Sequence, residues 1–196
     1  MQNNLNARLA RSLAIAVAGV ILMSQCPAIK AASNSEIAAV CEADQGDRKA
    51  VRPGELVDWP AVRIRDADRR GTMRRMLEEG EIRSADDFYC AALVFQHGES
   101  LDDIRLAFAL STIATNLKQP PQQTRFLQAA AWDRMMLRAN RPQWYGTQFV
   151  RDPVGGGWVL YEVDESVLND AQRREAGVPT LAEARQRALD LNRKRD

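Results

Sequence analysis

Two consecutive segments of the chain repeat one pattern, and this repetition constrains the fold more than any other feature. Each segment opens with a serine followed three positions later by an aspartate, at 84–87 and at 100–103, which is typical of a helix capping box. Apolar residues then recur at helical spacing over 88–95 and over 104–117. Because only residues 96–99 separate the two predicted helices, we expect them to pack antiparallel.

The rest of the chain continues this helical pattern and adds one small sheet. Further helices are predicted over about 66–79, over about 122–139, before Gly177 and up to about Arg193. A turn rich in proline and glycine lies between β-branched and aromatic residues, which predicts a β-hairpin near 147–163. The expected fold class is therefore mainly α, with antiparallel helical hairpins and one small β-hairpin packed on them.

Residues 1–32 have the composition of a secretory signal peptide, with Arg8 and Arg11 before an apolar run of eleven residues. The small residues that offer a cleavage region are Ala28, Ala31 and Ala32. The apolar run is shorter than the roughly 20 residues that span a bilayer, although an uncleaved anchor is an alternative. Cys26 raises a second alternative, a lipoprotein, but Met23-Ser24-Gln25 fits a lipobox poorly. We expect a periplasmic or secreted protein.

The charge balance of the chain argues against nucleic acid as a partner. The leader contains three basic residues and no acidic residue, so its removal leaves 24 basic and 26 acidic residues. A protein that binds nucleic acid usually carries a basic excess. No second apolar segment follows the leader, so no membrane span is expected after signal removal. Residues 33–55 are predicted to be a polar linker or loosely docked arm, and 56–196 the helical domain.

Two cysteines remain after removal of the leader, Cys41 and Cys90. An even number of cysteines in an oxidising compartment permits one disulfide bond between them. The alternative is a buried thiol at Cys90, which lies within an apolar predicted helix, and a free thiol at Cys41.

Asp133 and Arg134 lie on apolar faces of the predicted helix over 122–139. Adjacent residues point about 100° apart around a helix, so these two need not pair with each other. A charge on an apolar surface needs a partner, because its desolvation is costly. The segment 141–149 follows closely and carries amide, hydroxyl and aromatic side chains that would supply such partners.

His97 is the one histidine of the chain and follows Gln96 at the predicted end of a helix. A histidine at that position interacts favourably with the helix dipole, which is a sufficient structural reason for it. As a general base it would need a residue that orients it, for which Asp133 is a candidate, and a hydroxyl partner such as Tyr145 or Thr147. The candidate catalytic residues are therefore His97, Asp133 and Tyr145.

Recognisable cofactor patterns are not found in the sequence. It contains no HExxH sequence, no CxxC pair, no phosphate-binding loop and no GxSxG elbow. We therefore expect neither a bound metal nor a cofactor.

The polar residues on either side of the apolar helices are expected to converge on one site. This predicted ligand-binding set comprises Gln96, His97, Asp133, Arg134, Gln143, Tyr145, Thr147 and Gln148. One interpretation is a buried network that fixes the angle between helix and hairpin, since structural networks also bury charges. The other is a site that grips a ligand.

Several short motifs within about residues 60–185 resemble those of a bacterial domain family of unknown function. The matching residues are the Gln96-His97 pair, the Asp133-Arg134 pair and the segment Pro142-Gln143-Trp144-Tyr145-Gly146-Thr147-Gln148. The resemblance implies a mostly helical domain in which these polar positions lie together, and it implies no activity. We expect a non-catalytic binding or interaction module whose partner is a small molecule, peptide or protein. The alternative is a hydrolase-like enzyme that uses His97 as its general base.

Overall fold

The computed structural model describes residues 32–49 and 57–193 of the chain. This part is mainly helical, and its one sheet has two antiparallel strands, which confirms the predicted fold class. In chain order the elements are α1 Ser35–Gly46, α2 Trp59–Glu78, α3 Ala85–Gln96, α4 Leu101–Asn116, α5 Thr124–Arg138, β1 Phe149–Arg151, β2 Trp158–Leu160, α6 Asp170–Glu175 and α7 Leu181–Arg193.

Helix capping sets the start of α3 and α4 where the sequence predicts it. The Ser84 hydroxyl accepts from the backbone N–H of Asp87, whose carboxylate accepts from the N–H of Ser84. Asp87 also accepts from Ser33 Oγ and from the backbone N–H of Asn34, so it holds the start of α1 as well. Burial raises the pKa of Asp87, but these hydrogen bonds outweigh burial and hold the pKa below its ordinary value.

The hydrophobic core is centred on α3, whose Ala91, Ala92, Val94 and Phe95 are fully buried. The α3 helix packs against α4, and α4 packs against α5. Because the turn between α3 and α4 is tight, Gly98 is required there: a Cβ at that position would collide with the side chain of Asp103. The remaining core members are Ile37, Met73, Met76, Ile82, Ala107, Leu110, Leu127 and Ala131.

The N-terminal segment over 33–55, predicted to be a polar linker or loosely docked arm, contains a helix. Residues 35–46 form α1, which is capped by the side chain of Asn34. The buried residues of α1 are Ile37, Cys41 and Asp44, which lie on one face because their spacing is four and then three. This face docks α1 on α3. Residues 50–55 of the predicted linker lie outside the described residues.

Cys41 of α1 and Cys90 of α3 lie at disulfide distance, with their Cα atoms 5.4 Å apart. This geometry favours the disulfide over two separate thiols.

None of the described helices has both the length and the apolar character needed to cross a membrane. The predicted signal peptide lies outside the described residues except for Ala32.

The β-hairpin forms where it is predicted and packs on α7. Phe149 pairs with Leu160, and Arg151 pairs with Trp158. The side-chain amide of Asn192 in α7 accepts from the backbone N–H of Trp158 and donates to its carbonyl oxygen. A lone hairpin is only marginally stable, and these contacts attach it to the helical domain.

Breaking the bond between Cys41 and Cys90 is expected to lower the free energy of unfolding by about 4 kcal/mol. The bond closes a loop of 49 residues, and the chain-entropy model gives this magnitude for such a loop. Urea unfolding of the oxidised and reduced protein at one pH measures the difference. The double variant Cys41→Ser/Cys90→Ser is the control, since added reductant should not change its stability. Equal unfolding midpoints for oxidised and reduced wild-type protein would contradict the bond.

Candidate functional site

The chain reverses direction at the end of α5 and passes back over that helix. Asn140 adopts a left-handed conformation with φ of 52°, and the N–H of Arg141 donates to the carbonyl oxygen of Met136. This is the Schellman arrangement, in which a left-handed residue ends a helix and satisfies its last carbonyls. The reversal brings residues 143–148 directly over Asp133.

Asp133 is fully buried and accepts four hydrogen bonds from this returning segment. Its Oδ1 accepts from the N–H groups of Trp144 at 2.9 Å and Tyr145 at 3.0 Å. Its Oδ2 accepts from the N–H of Thr147 at 2.9 Å and from the Thr147 hydroxyl at 2.8 Å. Both oxygens are therefore occupied, so Asp133 has a structural role in shaping the loop.

Gln143 is also fully buried, and its side chain joins the loop to the strand region. Its Nε2 donates to the carbonyl oxygens of Gln148 and Tyr161, and its Oε1 accepts from the N–H of Gln148. Gln148 in turn donates from Nε2 to the Thr147 hydroxyl and to the carbonyl of Ala130 on α5. We call Asp133, Gln143, Thr147 and Gln148 the loop network.

Gly146 and Arg173 allow this loop to sit where it does. Gly146 has φ of 84°, a conformation that favours glycine, and a Cβ there would approach Leu181 Cδ2 at 3.0 Å. The buried Arg173 of α6 donates to the carbonyl oxygens of Trp144 and Leu168. Together these contacts tie the loop to α6 and α7.

Burial changes the acid–base properties of two groups here. Burial raises the pKa of Asp133, against the lowering effect of its hydrogen bonds from Tyr145, Thr147 and Trp144. Burial also raises the pKa of the Tyr145 hydroxyl, and the negative charge of Asp133 raises it further. The Tyr145 side chain is partly exposed, and its hydroxyl makes no hydrogen bond to the part of the chain that the structure describes.

A second polar group lies at the C-terminal ends of α1 and α3. Nδ1 of His97 lies 3.1 Å from Oδ1 and 3.0 Å from Oδ2 of the fully buried Asp44. Burial alone raises the pKa of Asp44, but the hydrogen bond and charge of His97 and the charge of Arg48 hold it below its ordinary value. Because a carboxylate only accepts, Nδ1 carries a proton, and in the neutral imidazole Nε2 is then the acceptor nitrogen.

Arg134 reaches this second group from α5. Its Nη1 donates to the backbone carbonyl oxygen of Gln96 at 2.9 Å. The Gln96 side chain is buried, and its Oε1 has no hydrogen-bond donor within the described residues. We call Asp44, Arg48, Gln96, His97 and Arg134 the helix-end cluster.

The predicted site residues therefore fall into two groups on different sides of α5. Gln143, Thr147 and Gln148 contact Asp133 or one another, and Tyr145 contacts it through its backbone N–H. Gln96 instead contacts Arg134, and His97 contacts Asp44. No hydrogen bond joins His97 to Asp133 or Tyr145 among residues 57–193. The carboxylate that orients His97 is Asp44, and not Asp133 as the sequence suggests.

Sequence reasoning misses Asp44, Arg48 and Arg173 as members of these groups. The signal for Asp44 is its spacing from Ile37 and Cys41 on one face of α1, which becomes visible only once that segment is taken as a helix. Arg48 lies one turn after Asp44 and pairs with it. For Arg173 the sequence gives a capped helix but no indication that its guanidinium is buried.

Nothing in the described ranges groups three histidine, cysteine or acidic side chains closely enough to hold a metal ion. No protein-family model matches the chain, and no curated protein or solved structure matches it either.

Replacing Asp133 with alanine is expected to lower the free energy of unfolding by about 3–5 kcal/mol. The change leaves three backbone N–H groups and a hydroxyl without their acceptor, and each buried unpaired donor is costly. Urea unfolding measures the loss. The control is Asp102→Ala, since Asp102 is 86% exposed and forms one surface ion pair. Similar small losses in both variants would contradict the structural role.

Proposed function

We propose that this chain is an exported, non-catalytic binding module whose ligand, a small molecule or peptide, contacts the helix-end cluster around His97 and Arg134. A ligand that extends around α5 would also contact the 142–148 segment. The unpaired polar atoms of the helix-end cluster carry this proposal. Arg134 is partly buried and has no carboxylate partner in the described residues, while the buried Oε1 of Gln96 has no donor. A buried acceptor is nearly always paired, so Gln96 Oε1 is expected to find its donor in a ligand, which would also contact the accessible guanidinium of Arg134.

The loop network supports the proposal by making the surrounding structure rigid. Four hydrogen bonds to Asp133 and three to the side chain of Gln143 hold the 143–148 segment in one conformation. Binding sites are most effective when a second set of contacts fixes the residues that touch the ligand. The Tyr145 hydroxyl, which lacks a described partner, is the group of this loop that we assign to ligand contact.

Export is supported by the composition of residues 1–32 and by the position of Cys41 beside Cys90. Disulfide bonds form and persist in the periplasm and outside the cell, and they are rare in the cytosol. A cysteine pair at disulfide distance is therefore compatible with an exported protein.

Fractionation of expressing cells is expected to recover the protein from the periplasm or the medium. N-terminal sequencing should find a mature start near Ala31 or Ala32, because small residues there suit signal cleavage. An intact Met1 on a membrane-bound product would contradict cleavage. A lipid on Cys26 would favour the lipoprotein alternative instead.

A ligand is expected to bind at the helix-end cluster, and one that extends around α5 is expected to contact Tyr145 as well. The mature protein is screened by thermal shift and by NMR against amino acids, short peptides, sugars and nucleotides. A binder should raise the melting temperature and shift resonances of Gln96, His97 and Tyr145. Tyr145→Phe should weaken binding, because it removes a hydroxyl without a protein partner, whereas Tyr161→Phe is the matched control. Resonance shifts confined to other surfaces would contradict the proposed site.

One observation favours the second candidate, a hydrolase. The buried Asp44 carboxylate orients Nδ1 of His97, which leaves Nε2 as an acceptor in the neutral imidazole, and this is the arrangement of a general base. His97 is 20% exposed at its side chain, so solvent reaches it. The same compounds are therefore analysed by mass spectrometry for products that have gained a water molecule. A hydrolase would lose this turnover in His97→Gln, whereas a binding module shows none in the wild-type protein.

A further inference from the structure

We infer that the ligand of this module presents an oxyanion, a carboxylate or a phosphate group, to the guanidinium of Arg134. This inference rests on the proposed function and names the chemistry of the ligand. An arginine presents five N–H donors in a planar fork that matches the oxygens of a carboxylate or phosphate. In Arg134, Nη1 donates to the carbonyl oxygen of Gln96, and the edge formed by Nε and Nη2 has no acceptor within the described residues.

No carboxylate forms an ion pair with Arg134 within the described residues. The charged groups that affect its pKa are the arginines Arg138 and Arg48. Arg48 is already paired with the carboxylates of Asp44 and Asp66. Burial lowers the pKa of Arg134, and the positive charges of Arg138 and Arg48 lower it further. An oxyanion bound to Arg134 would compensate this charge.

Helix capping alone accounts for only part of the environment of Arg134. Arginine side chains often donate to the last carbonyls of a helix, and Gln96 is the last residue of α3. The C-terminal dipole of α3 is equivalent to about half a negative charge, and His97 at the C-cap shares it. Arg134 therefore donates to one carbonyl oxygen and interacts with a partial charge that it shares with His97. Most of its N–H donors have no acceptor within the described residues.

Other arginines of the described chain show how this protein pairs a buried guanidinium. Arg69 lies between the carboxylates of Asp47 and Asp66. Arg173 is fully buried and donates to two backbone carbonyls, with Asp170 also near, although its Nε has no hydrogen-bond partner within the described residues. Arg134 has neither a carboxylate nor a second carbonyl. Gln96, whose backbone carbonyl Arg134 contacts, also has a buried unpaired Oε1, which adds that the ligand carries a hydrogen-bond donor.

The test compares the stability of the wild-type protein and Arg134→Met in sodium acetate, sodium phosphate and sodium chloride at matched ionic strength. Acetate represents a carboxylate source and phosphate a phosphate source. One of the two should stabilise the wild-type protein saturably, and at ten times the Kd the ratio of folded to unfolded protein rises about elevenfold. Arg134→Met should lose this response. Arg83→Met is the matched control, because Arg83 is exposed and also donates to a carbonyl at a helix end, that of Gly80.

Each result has a defined consequence. Equal stabilisation of the wild-type protein and Arg134→Met would be the general salting effect of these anions and would overturn the inference. Stabilisation of the wild-type protein that is no larger than in chloride would overturn it as well. If Arg134→Met does not fold, Arg134→Lys is the test variant. Lysine keeps the positive charge but lacks the planar set of N–H donors, so the Kd for the anion should rise severalfold. A neutral compound that binds the helix-end cluster in the ligand screen would overturn the oxyanion while leaving the binding module intact.

Discussion

The Asp133 carboxylate determines the path of the chain after α5, and the C-terminal third of the domain depends on it. Three backbone N–H groups within four residues, 144–147, point at the same side chain. Such closely spaced donors can be satisfied only by a group with two accepting oxygens and no hydrogen of its own. Asparagine would present an NH₂ group to a donor. The aspartate therefore fixes the loop, and the loop positions the hairpin and α6.

The two charges at the end of α5 have different roles because they point in different directions. Asp133 faces the returning loop, where its oxygens are fully occupied. Arg134 points about 100° around the helix, toward the ends of α1 and α3. One charge holds the structure together and the other is incompletely paired. This difference in pairing, and not burial alone, is the reason that we assign ligand binding to Arg134.

The sequence predicts those parts of the fold that local signals specify. Ser84 and Ser100 mark the starts of α3 and α4, and the glycine-rich turn marks the hairpin. The need of Asp133 for partners from the 143–148 segment also follows from its apolar surroundings. The partner of His97 does not follow, because Asp44 lies 53 residues away and no local pattern joins them. The α1 helix is missed because its buried face comprises only three residues within a polar segment.

The position of α1 explains why basic side chains lie together in the helix-end cluster. Asn34, Cys41 and Asp44 contact Asp87, Cys90 and His97 in the same order, so α1 runs parallel to α3. Two parallel helices present the negative ends of their dipoles at one place, which favours positive charge there.

Each of the three contacts fixes a different part of α1. The Asp87 carboxylate holds the start of α1, and the cysteine pair holds the middle of the helix. The contact between Asp44 and His97 holds its last turn. The cysteine pair lies one turn before Asp44, on the same face of the helix. It therefore holds the carboxylate that orients His97 in place. Ile37 packs in the core on the same face, so without the pair α1 would remain attached to α3 at its two ends and at Ile37.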